Sequence, residues 1–141
     1  IMIDDILPEV DGISVGLNDL TQYLFAADRD DESVERYHDP IQPALLRLLR
    51  RLVDACHRAS RPLTICGELA GDPSLTALLL ALGIRRFSVS RSNYRSTIDV
   101  IRGLSCEELK GLADEVLKLV TGQAVRRYLA DRFGSPETHP A

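Results

Sequence analysis

Tryptophan is absent from the 141-residue chain, and three phenylalanines and four tyrosines hold the aromatic share to 5%. Without such stacking platforms, binding of single-stranded nucleic acid or of sugar faces is not expected. Excess positive charge is missing too: 17 Lys and Arg stand against 21 Asp and Glu, a net charge of -4. No global field draws phosphate backbones, and no nucleic-acid partner is predicted. Long apolar runs are lacking. The longest, Leu75 to Ile84, is about half of the ~20 residues that a bilayer span needs, so it predicts a buried helix and no membrane segment. Cysteine is scarce, and Cys56, Cys66 and Cys106 form neither a Cys-x-x-Cys pair nor a zinc-finger spacing with His. That usage fits a reducing, cytoplasmic setting. A nucleophilic triad and a phosphate-cradling P-loop are both absent from the sequence pattern.

What is present is an ordinary globular balance, 45% hydrophobic and 27% charged, in a length close to one domain of roughly 150 residues. The chain opens Ile1-Met2-Ile3-Asp4-Asp5, with no initiating Met and no signal-peptide character, and reads as a piece of something longer.

Asp11 to Gly16, DGISVG, is a short β-branched run of strand length. From Ile41 the residues Ala44, Leu45, Leu48, Leu49, Leu52, Val53 and Cys56 recur at three- and four-residue steps, predicting a long amphipathic helix with a basic outer face. PLTICG at 62–67 is a second strand. Asp72-Pro73 then supplies an N-cap and first-turn proline for a helix from Ser74 to Leu82, stopped by Gly83. RFSVS at 86–90 is a third strand, followed by a helix to about Arg102. A capping box at Ser105 and Glu108 heads one helix through Leu109, Leu112, Ala113, Val116, Leu117 and Val120, and a last short helix follows Gly122. Repeated strand-loop-helix units mean an α/β fold with parallel strands and outer helices. Three strands cannot close an eight-stranded barrel, so a barrel reading makes this chain the C-terminal half of one. In open sheet or barrel alike, function is expected just after the strands' C-terminal ends.

Those ends carry chemistry-bearing residues. GLNDLTQYLFAADR, residues 16–29, offers a glycine that lets backbone approach a ligand, then Asn18 and Asp19 opening a helix whose free N–H groups favour an anion. Asp19 can hold a hard cation, and Arg29 presents a fork suited to carboxylate or phosphate. CGELAGD, residues 66–72, puts the Cys66 thiol at the mouth of the same sheet as a candidate proton donor. Plainer readings stand beside these: Asn18-Asp19 as a helix cap, Arg29 as a solvated partner of Asp28 and Asp30, and Cys66 as a small buried hydrophobe. His38, His57 and His139 have no partner spacing, and Cys56 and Cys106 read as structural.

Taken together, DGISVGLNDLTQYLFAADR at 11–29 and CGELAGD at 66–72 resemble the phosphoenolpyruvate (PEP)-binding barrel of the PEP-protein phosphotransferases, Enzyme I of the bacterial phosphotransferase system. The likeness runs from about Asp11 to about Leu119. A related family, pyruvate phosphate dikinase, shares Asn-Asp-Leu-Thr-Gln and Cys-Gly-Glu but usually continues His-Gly-Gly where this chain has Leu69-Ala70-Gly71; a dikinase or PEP synthase relative is the enzyme alternative. The resemblance implies a (β/α)8 TIM barrel, with residues 1–133 as its C-terminal half and 134–141 as a disordered tail. It implies magnesium, PEP and pyruvate, an HPr-type phosphocarrier partner serving sugar transport or nitrogen regulation, and a homodimer through the barrel. By position, Asp19 would bind metal, Asn18, Asp19 and Arg29 would line the substrate, and Cys66 would protonate the enolate carbon. The phosphorylated histidine, the second metal carboxylate and further arginines would lie elsewhere, leaving this piece inactive alone. A non-catalytic half-barrel that dimerises or senses a metabolite is the other class. Leu17, where the family normally has Thr or Ser, departs from the pattern.

Overall fold

A computed structural model of the chain describes residues 1–28 and 31–133. The N-terminal Ile3–Ile6 helix (α1), which the sequence pattern did not suggest, continues into a 3-10 turn at Leu7–Glu9. It exists because Ile3 and Leu7 are buried in the core. Three strands, β1 (Ile13–Gly16), β2 (Leu63–Cys66) and β3 (Arg86–Ser88), form one parallel sheet in the order β1-β2-β3. Between them run α2 (Leu17–Phe25), α3 (Pro43–Arg58) and α4 (Pro73–Ala81), and after them α5 (Arg91–Gly103). The expected α/β architecture of three parallel strands with helices is therefore observed, consistent with part of a barrel. No helix among the described residues is long and apolar enough to cross a membrane.

Strand alternation gives the sheet two unlike faces. Register pairs Ile13 with Leu63 and aligns Val15, Ile65 and Phe87, and this face joins the core with Leu45, Leu49, Leu78 and Leu82. Ile65 is wholly buried, worth about 1.5–3 kcal/mol in apolar transfer. The opposite face carries two rows, Ser14-Thr64-Arg86 and Gly16-Cys66-Ser88, whose residues are exposed or half-buried.

Helix boundaries follow local chemistry. Pro43 occupies the first turn of α3, and Asp72 caps α4 by accepting from the Ser74 N–H at 2.8 Å. Along α3 the buried stripe includes Leu46, while Ala44 is exposed. The larger side chain takes the core position that the simple spacing gave to alanine. Both α3 and α4 end on left-handed residues, Ser60 (φ 54°) and Gly83 (φ 102°). Each stop carries paired backbone bonds, Arg61 N–H to Cys56 and Ser60 N–H to His57, and Ile84 N–H to Leu79 and Gly83 N–H to Leu80. These are the two bonds of a Schellman motif.

The capping box at Ser105 and Glu108 forms as expected, but the helix it starts lasts only from Cys106 to Leu109 (α6). Lys110 turns extended, Gly111 adopts φ 72°, and α7 (Leu112–Val116) starts afresh, leaving Val120 exposed. Arginines from other elements close these short helices. Arg47 of α3 donates to the carbonyls of Leu117 and Leu119, and Arg132 of α8 (Gly122–Phe133) donates to those of Glu108 and Lys110. The tail expected at 134–141 lies outside the described residues.

Candidate functional site

Register places Gly16, Cys66 and Ser88 side by side at the C-terminal edge of the sheet, so the loops after all three strands leave from one line. Helix α2 follows β1 without a gap and has Gly16 at its N-cap with no side-chain cap. Its leading N–H groups are therefore not satisfied by a cap. Neither Asn18 nor Asp19 acts as the cap that the plainer reading supposed. Asn18 instead reaches over to the next loop, its Oδ1 accepting from the Leu69 N–H at 3.3 Å.

The loop after β2 is a 3-10 turn, Glu68–Gly71, held between two asparagines. Gly67 has φ 102°, and a Cβ there would stand 2.8 Å from Asn18 Oδ1. At Gly71 a Cβ would stand 2.8 Å from Asn93 Nδ2, in the first turn of α5. The positive φ thus calls for glycine at Gly67, rather than at Gly16, whose φ of -74° any residue adopts. Asn93 escaped the sequence reading because nothing in its spacing links it to CGELAGD. Only the contact with Gly71 does so.

Cys66 is half-buried, its Sγ–H donating to the Val15 carbonyl at 3.5 Å while the Ser14 hydroxyl donates to Sγ at 3.6 Å. It is not the fully buried hydrophobe of the plainer reading. That description fits Cys56, where burial pushes the thiol pKa up. Cys106 is exposed. Asp19 is exposed and makes no hydrogen bond or ion pair among the described residues. No group of three or more His, Cys, Asp or Glu assembles there among the described residues. A lone free carboxylate beside an uncapped helix start fits magnesium, which is commonly held by one or two carboxylates together with substrate phosphate. Arg29 lies outside the described residues. Asp28, just before it, accepts a contact from His38 Nε2 at its carbonyl, 3.0 Å away.

Leu17 is 1% exposed and sits in the hydrophobic core. The departure from Thr or Ser thus adds packing and leaves the start of α2 without a hydroxyl. A cleft of about 750 Å³ lies at the other end of the sheet, lined by His57, Arg61, Pro62, Gly83, Arg85 and Arg86 among others. Volume and strand-end chemistry therefore point to opposite ends. The candidate residues Asn18, Asp19 and Cys66 lie at the C-terminal edge, away from this cleft.

Residues 1–105 match the family described as PEP-utilising enzyme, PEP-binding domain. The chain is 43% identical over 112 residues to the phosphoenolpyruvate-protein phosphotransferase of Cupriavidus necator, covering 79% of this chain and 19% of that protein. It is 39% identical over 133 residues to the one from Bacillus sp. (strain S), covering 94% and 23%. With that of Buchnera aphidicola subsp. Schizaphis graminum it shares 37% over 125 residues, covering 89% and 22%. The chain spans about a fifth of the length of these curated relatives.

Proposed function

Because this chain belongs to the PEP-utilising enzymes through their PEP-binding domain, we propose that residues 1–133 are the C-terminal half of the PEP-binding barrel of a PEP-protein phosphotransferase. The parent enzyme moves the phosphoryl group of PEP to one of its own histidines, outside this chain, and on to an HPr-type carrier, releasing pyruvate. This piece alone is inactive, since it supplies one wall of the site. A cytoplasmic homodimer joined through the barrel is part of the same proposal.

The observation that carries the reading is the bridge from Asn18 to Leu69 N–H and Gly67, which ties the loop after β1 to the loop bearing Cys66. Asn18 and Arg29 bind the phosphate and carboxylate of PEP, orienting it against the open start of α2. Asp19 is the residue that would hold magnesium. When bound, that ion neutralises charge spreading over the transferring phosphoryl group. Loss of the phosphoryl group leaves the enolate of pyruvate. Cys66 delivers its proton to the methylene carbon as general acid, which completes pyruvate.

Replacing Cys66 by Ala in the parent protein tests this reading. Pyruvate formation from PEP should fall by at least about 100-fold, in the range for loss of a general acid, while PEP affinity changes little. Equal turnover by mutant and wild type would remove Cys66 from the mechanism. A parent that consumes ATP with pyruvate and phosphate would be a dikinase instead.

A further inference from the structure

We propose that Ser14 is a positioning residue for Cys66, its hydroxyl stabilising the thiolate that remains once the proton has left. The proposal rests on the reading of Cys66 as the proton donor. Its geometric basis is the open face of the sheet. Ser14 faces the same side as Cys66, one row nearer the strand start, in register with Thr64. The position on β1 level with Cys66 is Gly16, which has no side chain. Level with the sulfur β1 thus presents no side chain, and Sγ meets the Ser14 hydroxyl diagonally at 3.6 Å.

Sγ has two partners of opposite character. The Val15 carbonyl, 3.5 Å away, can only accept and so serves the protonated thiol. Ser14 can donate, and a donor to sulfur favours the thiolate. In the reaction the S–H bond breaks and its electron pair stays on sulfur. The enolate's electron pair forms the new C–H bond, and water later returns a proton to sulfur. Each protonation state of Cys66 thus has its own hydrogen-bond partner in place beforehand, so the step needs little local rearrangement.

Charged groups around this point do not replace Ser14. Arg86 of β3 lies on the same face in the row of Thr64. Asp19 of α2 and Glu68 of the 3-10 turn place exposed carboxylates at the strand ends, where they oppose a thiolate. Among the described residues, Ser14 is the side chain that donates to Sγ.

The test is iodoacetamide labelling of Cys66 in the full-length parent protein, followed by peptide mass spectrometry across pH, with pyruvate formation measured alongside. Ser14→Ala should slow labelling of Cys66 about tenfold at a fixed pH below the midpoint, and Ser14→Thr should restore it. Cys56 should stay unlabelled in both variants. An unshifted midpoint in Ser14→Ala overturns the proposal whatever the kinetics. A shifted midpoint with unchanged pyruvate formation also overturns it, since the contact would then carry no weight in the reaction; Cys66→Ala decides separately whether Cys66 gives the proton.

Discussion

Gly67 and Gly83 share a backbone conformation, φ 102°, and at each an added Cβ would stand 2.8 Å from a neighbouring side chain. The neighbours differ in kind. Gly83 meets Val53 Cγ1 at the N-terminal end of the sheet, between the buried Leu82 and Ile84. Gly67 meets Asn18 Oδ1 at the C-terminal end, where half-buried and exposed polar groups gather. One close approach seals a core; the other seats a polar side chain over a candidate substrate site. The same steric device serves stability at one end and geometry at the other, and substitution should separate the two.

The largest effect is expected at Gly83. Alanine there adds left-handed strain and presses into a stiff β-branched neighbour, for a loss of about 2–4 kcal/mol in urea unfolding. A loss under about 1 kcal/mol would mean that Val53 gives way freely and the contrast is unfounded. Gly67→Ala carries the same strain against a side chain that can swing aside, so about 1–3 kcal/mol is expected. Adding Asn18→Ala should recover part of that loss, because it removes the atom facing the new Cβ, and should do nothing for Gly83→Ala. Equal cost with and without Asn18 would show that backbone strain alone sets the price at Gly67. The smallest effect has the opposite sign. Ser60 stops α3 in the left-handed region with φ 54°, so Ser60→Gly should stabilise by about 0.5–1 kcal/mol. A thermal shift downward would mean that the serine side chain contributes more than its backbone strain costs.

Much of the fold was legible because its signals are local. A β-branched run between glycines, DGISVG, and the short runs PLTICG and RFSVS marked the three strands, and Asp72-Pro73 and Ser105 with Glu108 marked helix starts that form with those caps. Elements decided by distant contacts were not legible. α1 depends on burying Ile3 and Leu7, and the break between α6 and α7 turns on a left-handed Gly111 and on arginines from α3 and α8. At the candidate site, Asn18, Asp19 and Cys66 could be named from their motifs. Their place at the strand ends of one sheet could be expected, but not which atoms meet. Asn18 lies 51 positions from Leu69, and only parallel pairing of β1 with β2 makes them neighbours. Ser14 and Asn93 were missed because each matters through a partner on another strand or loop.

Arg47 and Arg132 set the terms on which the last layer of the molecule can change. Residues beyond 105 lie outside the family match, and helices as short as α6 and α7 have little stability of their own. Their terminal carbonyls are gripped by two guanidinium groups, one belonging to α3 inside the matched region. Backbone carbonyls are the same whatever side chains surround them. Sequence drift is therefore tolerable in this layer at every exposed position that leaves the two grips intact, while a change at Arg47 would loosen a segment 70 residues away whose backbone carbonyls its guanidinium holds.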